Sequence, residues 1–367
     1  MPEMSSIVTE FPRRMLPLLR CSRDAGQLSI CREYRSGTIG LIDATLRCSA
    51  CSQEYSVENG VVRLLPKSLT PETQHEMAIK SSEYEQLPDT FESPSHGWRS
   101  EYSDYIEVPP HLEWLEPLNG CRVLELGCGD GRFTMLMAKM GADVLAIDFT
   151  LAALSKLATR LSSGVAPTSY RLAPQCIAKI AGCVGMVQAD ASNFHVAPRS
   201  FDRALSATPC DSRDERMKMY RAIAESLTDE GCYVGGVEHD DLGRRLLGLP
   251  LVRRYTTGGI LIDHLDTAMM RREVAPYFSR LRFRPIRPRD SFISHLSTKH
   301  KILILRTISA IPVLRQLGEI LLVRAEGPIR LPLEGARRPG STLAKSIYRW
   351  HKRRQGEEPL WTEVDPV

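Results

Sequence analysis

Between residues 123 and 131 the chain reads Val-Leu-Glu-Leu-Gly-Cys-Gly-Asp-Gly, a short apolar run opening into a glycine-rich turn. Gly127 and Gly129 let the backbone bend sharply and approach a ligand with no Cβ in the way. A helix starting after Gly131 offers free N–H groups at its first turn. The chemistry this suits is the holding of a nucleotide-like cofactor. A lone glycine pattern is weak evidence, so its surroundings decide. The next apolar run, 144–147, ends in Asp148, seventeen residues after Gly131. At that spacing a carboxylate reaches ribose hydroxyls. A third run ends in Ala189-Asp190-Ala191, from which a carboxylate can accept an adenine amino group.

Two other groups of residues carry chemistry. Cys48-Ser49-Ala50-Cys51 has knuckle spacing, in which two thiolates on one tight turn hold Zn²⁺. A complete ligand set needs a second pair. Cys21 is a candidate, and three residues on stands Asp24 in place of a cysteine, so the candidate set is Cys21, Asp24, Cys48 and Cys51. The second group is Glu238-His239-Asp240-Asp241. Here His239 is the candidate general base, to be oriented by a neighbouring carboxylate, against the plainer reading of a surface histidine in an acidic turn. His264 and Tyr277 are weaker candidates.

These residues need elements to position them. Cys121–Leu126, Asp143–Ile147, Val184–Gln188, Phe201–Ser206 and Cys232–Val237 read as strands, with Arg280–Pro285 and Ile320–Arg324 closing the sheet. Helical spacing falls between them at Arg132–Met140, Leu151–Leu161 and Asp214–Leu227. Strands alternating with helices predict an α/β fold, a mainly parallel sheet covered on both faces. Leu18–Pro66 predicts three or four small strands, and Pro71–Glu85 a helix followed by a linker. The expected organisation is a small β-rich module over 1–68, a helical linker over 69–111, a catalytic domain over 112–330 with a helical insertion around 242–318, and a basic tail over 331–367.

Glu125-Leu126-Gly127-Cys128-Gly129-Asp130-Gly131, Ala146-Ile147-Asp148, Gln188-Ala189-Asp190-Ala191, Ser200-Phe201-Asp202 and Leu227-Thr228-Asp229-Glu230-Gly231 together resemble the ordered motifs of class I, type 11, S-adenosylmethionine-dependent methyltransferases. The resemblance spans about Leu112 to Val237 and implies a Rossmann-like, seven-stranded sheet. It also implies a cofactor site of Glu125, Gly127, Cys128, Gly129, Asp148, Phe149, Asp190 and Ala191. By it, Glu125 lies near the methionine end, the glycines beneath the cofactor, Asp148 on the ribose, and Asp190 with Ala191 at the adenine. A dehydrogenase shares the first glycines, but its pyrophosphate-binding pattern needs a third glycine where Arg132 stands. The stretch Leu18–Pro66 is similar to the zinc-ribbon modules that precede or partner some methyltransferases, which implies a structural zinc. Pro209-Cys210 stands where 5-methylcytosine RNA methyltransferases carry a Pro-Cys. The second cysteine of that pattern is replaced by Glu238, so Cys210 reads as an ordinary thiol.

Composition bounds the rest. A chain 43% hydrophobic and 25% charged excludes wholly disordered and fibrous classes. The first twenty residues mix prolines and charges, and no apolar run reaches membrane-spanning length. With ten cysteines scattered through module and core alike, the expectation is a cytoplasmic protein with reduced thiols. The overall charge of +4 hides an asymmetry, because residues 241–367 carry 24 Lys and Arg against 12 Asp and Glu. The expected function is methyl transfer from S-adenosylmethionine to an O or C atom of a hydrophobic small molecule. The alternative is an RNA methyltransferase gripping phosphates with the front module and the basic C-terminal third, and a catalytically silent scaffold is a third reading. The apolar stretch Ile302–Leu305 is the candidate pocket lining.

Overall fold

The computed structural model describes residues 9–66, 69, 71–87, 95–96, 99–164, 180–207, 212–254, 261–288, 293 and 295–330. The tail at 331–367 and Cys210 lie outside them. The strands in chain order are β1 (Phe11–Pro12), β2 (Leu28–Ser36), β3 (Gly40–Cys48), β4 (Glu54–Glu58), β5 (Val61–Arg63), β6 (Ser95–His96), β7 (Arg99–Ser100), β8 (Arg122–Leu126), β9 (Asp143–Asp148), β10 (Val184–Gln188), β11 (Phe201–Ala207), β12 (Leu227–Glu238), β13 (Val252–Arg254), β14 (Leu261–Asp263), β15 (Phe278–Pro288) and β16 (Gly318–Pro328).

The seven strands expected of the catalytic domain form one sheet in the order β10-β9-β8-β11-β12-β16-β15. The first five are parallel, and β16 runs antiparallel to both β12 and β15. This is the Rossmann-like α/β sheet that the strand–helix alternation predicts. Its strands alternate between two cores, as a period of two requires when both faces are covered. Val123, Val144, Ala146, Met186 and Val234 face one side with Leu115, Phe133, Leu136 and Leu157. Leu124, Leu145, Ile147, Val187 and Tyr233 face the other with Tyr220 and Ile223.

The covering helices follow from the sequence pattern and from their ends. The helix Arg132–Lys139 starts at Gly131, which has a φ of 86° that a side chain would strain. The helix Arg213–Ser226 starts with a capping box, in which Ser212 and Glu215 satisfy each other's backbone N–H groups. The helix Leu151–Ser163 stops at Gly164 in the left-handed region.

The front segment does not stand apart from this sheet. β5 pairs in parallel with β10, and β4, β3, β1 and β2 continue outward by antiparallel pairing, giving a sheet of twelve strands. Phe11, Met15, Leu46 and Val62 pack in the same core as Leu145, Ile147 and Val187. The module therefore shares its core with the catalytic domain. Within the expected linker, helices Pro71–Glu85 and Glu101–Leu115 form. Within the expected insertion lie helices Leu242–Leu246, Thr267–Val274 and Thr298–Ala310, the hairpin β13–β14, and β15, an edge strand of the main sheet.

Candidate functional site

The carboxyl ends of β8, β9 and β10 bring the predicted cofactor residues together. β8 ends at Leu126, and the chain turns through Gly127, Gly129 and Gly131 with φ values of 67°, 55° and 86°. All three lie in the left-handed region that favours glycine. A Cβ on Gly129 would sit 2.5 Å from the Tyr84 hydroxyl, and one on Gly131 would sit 2.2 Å from Leu157 Cδ1. The turn is thus closed down by the helix Pro71–Glu85 on one side and Leu151–Ser163 on the other.

Asp148, the last residue of β9, is buried and reaches across to this turn. Its Oδ2 accepts from the Gly129 N–H at 2.9 Å, while Oδ1 accepts from the Thr150 N–H at 2.9 Å and the Thr150 hydroxyl at 2.8 Å. Cys128 is buried beside it, its N–H donating to the Ile147 carbonyl at 3.0 Å. Glu125 is also buried, with Thr134 Oγ1 donating to its Oε2 at 2.5 Å. Burial pushes the Glu125 carboxyl up to about 8 and raises Asp148 as well. Asp190 caps the turn after β10, taking the Ser192 N–H and hydroxyl at 2.7 and 2.8 Å. The Phe149 carbonyl accepts from Gln188 Nε2 at 3.0 Å, and Ala191 is half-buried in that turn. The glycine turn, Asp148 and Asp190 stand at neighbouring strand ends, where open α/β sheets bind ligands.

Around this centre lies a buried ionic group that sequence reasoning missed. Glu107, on helix Glu101–Leu115, receives both Arg132 guanidinium nitrogens at 2.7 and 3.3 Å and faces Arg287 at 3.5 Å. Against the burial that raises it, the two arginines hold Glu107 down at about 2. Arg132 stands where a dehydrogenase needs its third glycine, and here it ties the start of its helix to the helix that carries His111. Asp130 is fully buried in an ion pair with Arg160, which also donates to its carbonyl at 3.0 Å.

His111 lies one turn beyond Glu107 and is fully buried. Its Nδ1 is 2.7 Å from the Glu107 carbonyl oxygen, which can only accept, so Nδ1 carries the hydrogen and Nε2 the lone pair. Nε2 has no partner among the described residues and lies 3.2 Å from where a Cβ on Gly236 would stand. Gly236 pairs with Ala207, the residue after Ser206, which in turn pairs with Leu126. The imidazole therefore sits at the level of the glycine turn, and burial lowers its pKa. His239 is buried too, with Nδ1 2.7 Å from the Gly318 carbonyl. That geometry replaces the surface reading of His239 with an internal one. His264 is buried against the Leu251 carbonyl at 3.2 Å, and Tyr277 is buried in the core.

The structure also gathers Cys21, Asp24, Cys48 and Cys51, whose ligand atoms all lie within 4.8 Å of one another. The Cys21 and Cys51 sulfurs are 3.6 Å apart, and Cys48 Sγ is 3.3 Å from Asp24 Oδ1. A tetrahedron with Zn–S bonds of about 2.3 Å has edges of about 3.8 Å. The two spacings lie close to that edge, so the donor set has the composition and size that a tetrahedral ion takes.

Residues 123–231 match a family model described as a methyltransferase domain. A ubiquinone biosynthesis O-methyltransferase from Ralstonia nicotianae is 34% identical over 96 residues, 24% of this chain and 40% of that protein. A 23S rRNA (uracil(1939)-C(5))-methyltransferase from Shewanella sp. (strain ANA-3) is 46% identical over 41 residues, 11% of this chain and 9% of that protein. The chain thus spans less than half the length of either relative. Among solved structures, an S-adenosylmethionine-dependent methyltransferase from Mesorhizobium loti superposes with a TM-score of 0.40 at 20% identity, covering 60% of this chain and 96% of that one. The glycine turn and the acidic strand ends at Asp148 and Asp190 lie within the matched segment, so residues 123–231 carry a methyltransferase domain.

Proposed function

We propose that the chain transfers the methyl group of S-adenosylmethionine to an O or C atom of a hydrophobic small molecule. The observation that carries the cofactor half is the coupling of Asp148 to the glycine turn: one buried carboxylate, at the end of β9, holds the Gly129 N–H at 2.9 Å. In this reading Asp148 takes the ribose hydroxyls, Phe149 lies beside the nucleoside, and Asp190 with Ala191 meets the adenine. Gly127, Cys128 and Gly129 pass beneath the cofactor, and Glu125 lies near its methionine end.

Methyl transfer is an in-line displacement: an acceptor lone pair bonds to the methyl carbon while the sulfonium C–S bond breaks, leaving S-adenosylhomocysteine. The protein's task is alignment and exclusion of water. A hydroxyl acceptor must also lose a proton. His111 offers a neutral Nε2 lone pair at the level of the glycine turn, and we assign it that role ahead of His239. The hydrophobic acceptor is supported by the name of the Ralstonia relative and by the apolar residues of helix Thr298–Ala310, which packs on the His111 helix. Cys21, Asp24, Cys48 and Cys51 would hold a structural zinc that pins the β3–β4 turn to the loop before β2.

An RNA acceptor is the second reading, favoured by the cysteine knuckle, the basic C-terminal third and the short Shewanella match. Label from methyl-tritiated S-adenosylmethionine, followed into organic-extractable, RNA and protein fractions of a lysate, separates the two. Counts in the organic fraction support the first reading, and counts in RNA with steep loss of binding as salt rises support the second.

A further inference from the structure

Among the described residues, nine of the eleven exposed large hydrophobic side chains fall in two stretches, 242–251 and 303–314. Leu246, Leu247 and Val313 are 77%, 74% and 72% exposed, and Leu303 is 65% exposed. The two stretches meet where helix Leu242–Leu246 packs against the turn Leu314–Leu317, so they form one patch. A soluble chain rarely leaves so much contiguous aliphatic surface in water without a use for it.

Charge within the two stretches is of one sign, although Arg244 is buried and Arg245 is paired with Asp240 and Asp266. Residues 242–254 and 295–317 each contain four Lys or Arg and no Asp or Glu. Lys299 and Arg306 are exposed beside Leu303 in the sequence. Aliphatic side chains flanked by the exposed Lys299 and Arg306 match an anionic lipid surface, into which the leucines insert while the cations stay at the headgroups. Nucleic acid fits less well, because single-stranded bases are held by aromatic stacking and neither stretch contains Phe, Tyr or Trp. No helix among the described residues is long and apolar enough to cross a membrane, so the contact would be interfacial. The patch also follows directly on β12, at the carboxyl edge where the glycine turn lies.

We propose that this patch docks the protein on a lipid surface bearing anionic headgroups. The inference concerns lipid binding alone and does not depend on which acceptor is methylated. The test is cosedimentation of the full chain with vesicles of phosphatidylcholine and phosphatidylglycerol in equal parts, against vesicles of phosphatidylcholine alone. Binding to the mixed vesicles should be at least about tenfold tighter than to the neutral ones and should weaken as salt rises. Leu246→Ser with Leu247→Ser and Val313→Ser should weaken it about tenfold or more. These side chains are exposed, so the circular dichroism spectrum should be unchanged. Lys299→Gln with Arg306→Gln should reduce the preference for the anionic vesicles and leave the leucines in place. A full chain that binds neither vesicle overturns the proposal, as does a serine variant that binds as well as the parent. A concentration-dependent dimer abolished by the serine changes, with no vesicle binding, would assign the patch to a second copy instead.

Discussion

Glu125 is a carboxylate that the fold keeps largely protonated near neutral pH, and this has a measurable consequence. Burial moves it from an ordinary 4.5 to about 8. Between those values the folded chain holds a proton that the unfolded chain has released. Folding stability from this group is therefore fully present below pH 4.5 and is lost as pH rises through about 8. The slope is about 1.4 kcal/mol per pH unit, and from pH ~5.5 to ~7.5 the loss is about 2–3 kcal/mol. Glu125→Gln keeps the size of the side chain and an oxygen for the Thr134 hydroxyl but cannot ionise. Urea unfolding of both proteins should give curves that run together below about pH 4.5 and then diverge, the variant's advantage growing by about 2–3 kcal/mol between pH ~5.5 and ~7.5. Other titrating groups remain in both proteins and cancel in the difference. Glu107, held at about 2, acts in the opposite sense, adding stability above its ordinary 4.5 that is lost only as pH falls toward 2. Parallel profiles for parent and variant would refute the claim that Glu125 is protonated in the fold.

Asp148→Ala should weaken S-adenosylmethionine binding by about 1–3 kcal/mol, read by calorimetry, because the ribose hydroxyls lose a charge-assisted acceptor; unchanged affinity in a folded variant would remove Asp148 from the cofactor site. Cys48→Ser with Cys51→Ser should release bound zinc, read by metal analysis, and lower the thermal midpoint of the whole chain, since the module and the catalytic sheet share one core. A purified parent without zinc would sink the metal assignment. His111→Gln should lower the methylation rate of a hydroxyl acceptor by about 10²–10⁴ and flatten the acid limb of its pH profile, while S-adenosylmethionine affinity stays within about threefold. An unchanged rate would return the base role to His239 or to solvent.

β8 and β9 were legible because each is an apolar run closed by a glycine or an acidic residue, at Leu126-Gly127 and Ile147-Asp148. The candidate cofactor residues stand at those closures, which is why the spacing brings them to notice. The parallel pairing of β5 with β10 was not legible, because Val61 and Met186 are partners across a separation that no local pattern records. The front module consequently read as an independent unit. Helix Glu101–Leu115 was hidden by Pro109 and Pro110 in its interior, residues that argue against helix on local grounds. With it were hidden Glu107 and His111, whose roles come from what they face across the fold. Tyr84 over Gly129 is likewise a tertiary fact. Asp24 within the cysteine cluster shows the reverse case, where knuckle spacing alone brought the set to notice.

The central claim is that this domain passes a methyl group from S-adenosylmethionine to a small apolar molecule. The most direct measurement is the partition of methyl label, after incubation of the purified chain with tritiated S-adenosylmethionine and fractionated lysate, among organic-extractable, RNA and protein pools. The account predicts label in the organic pool, lost in Asp148→Ala and nearly indifferent to salt. Label confined to RNA or protein, or none in any pool while S-adenosylmethionine is bound, would contradict it.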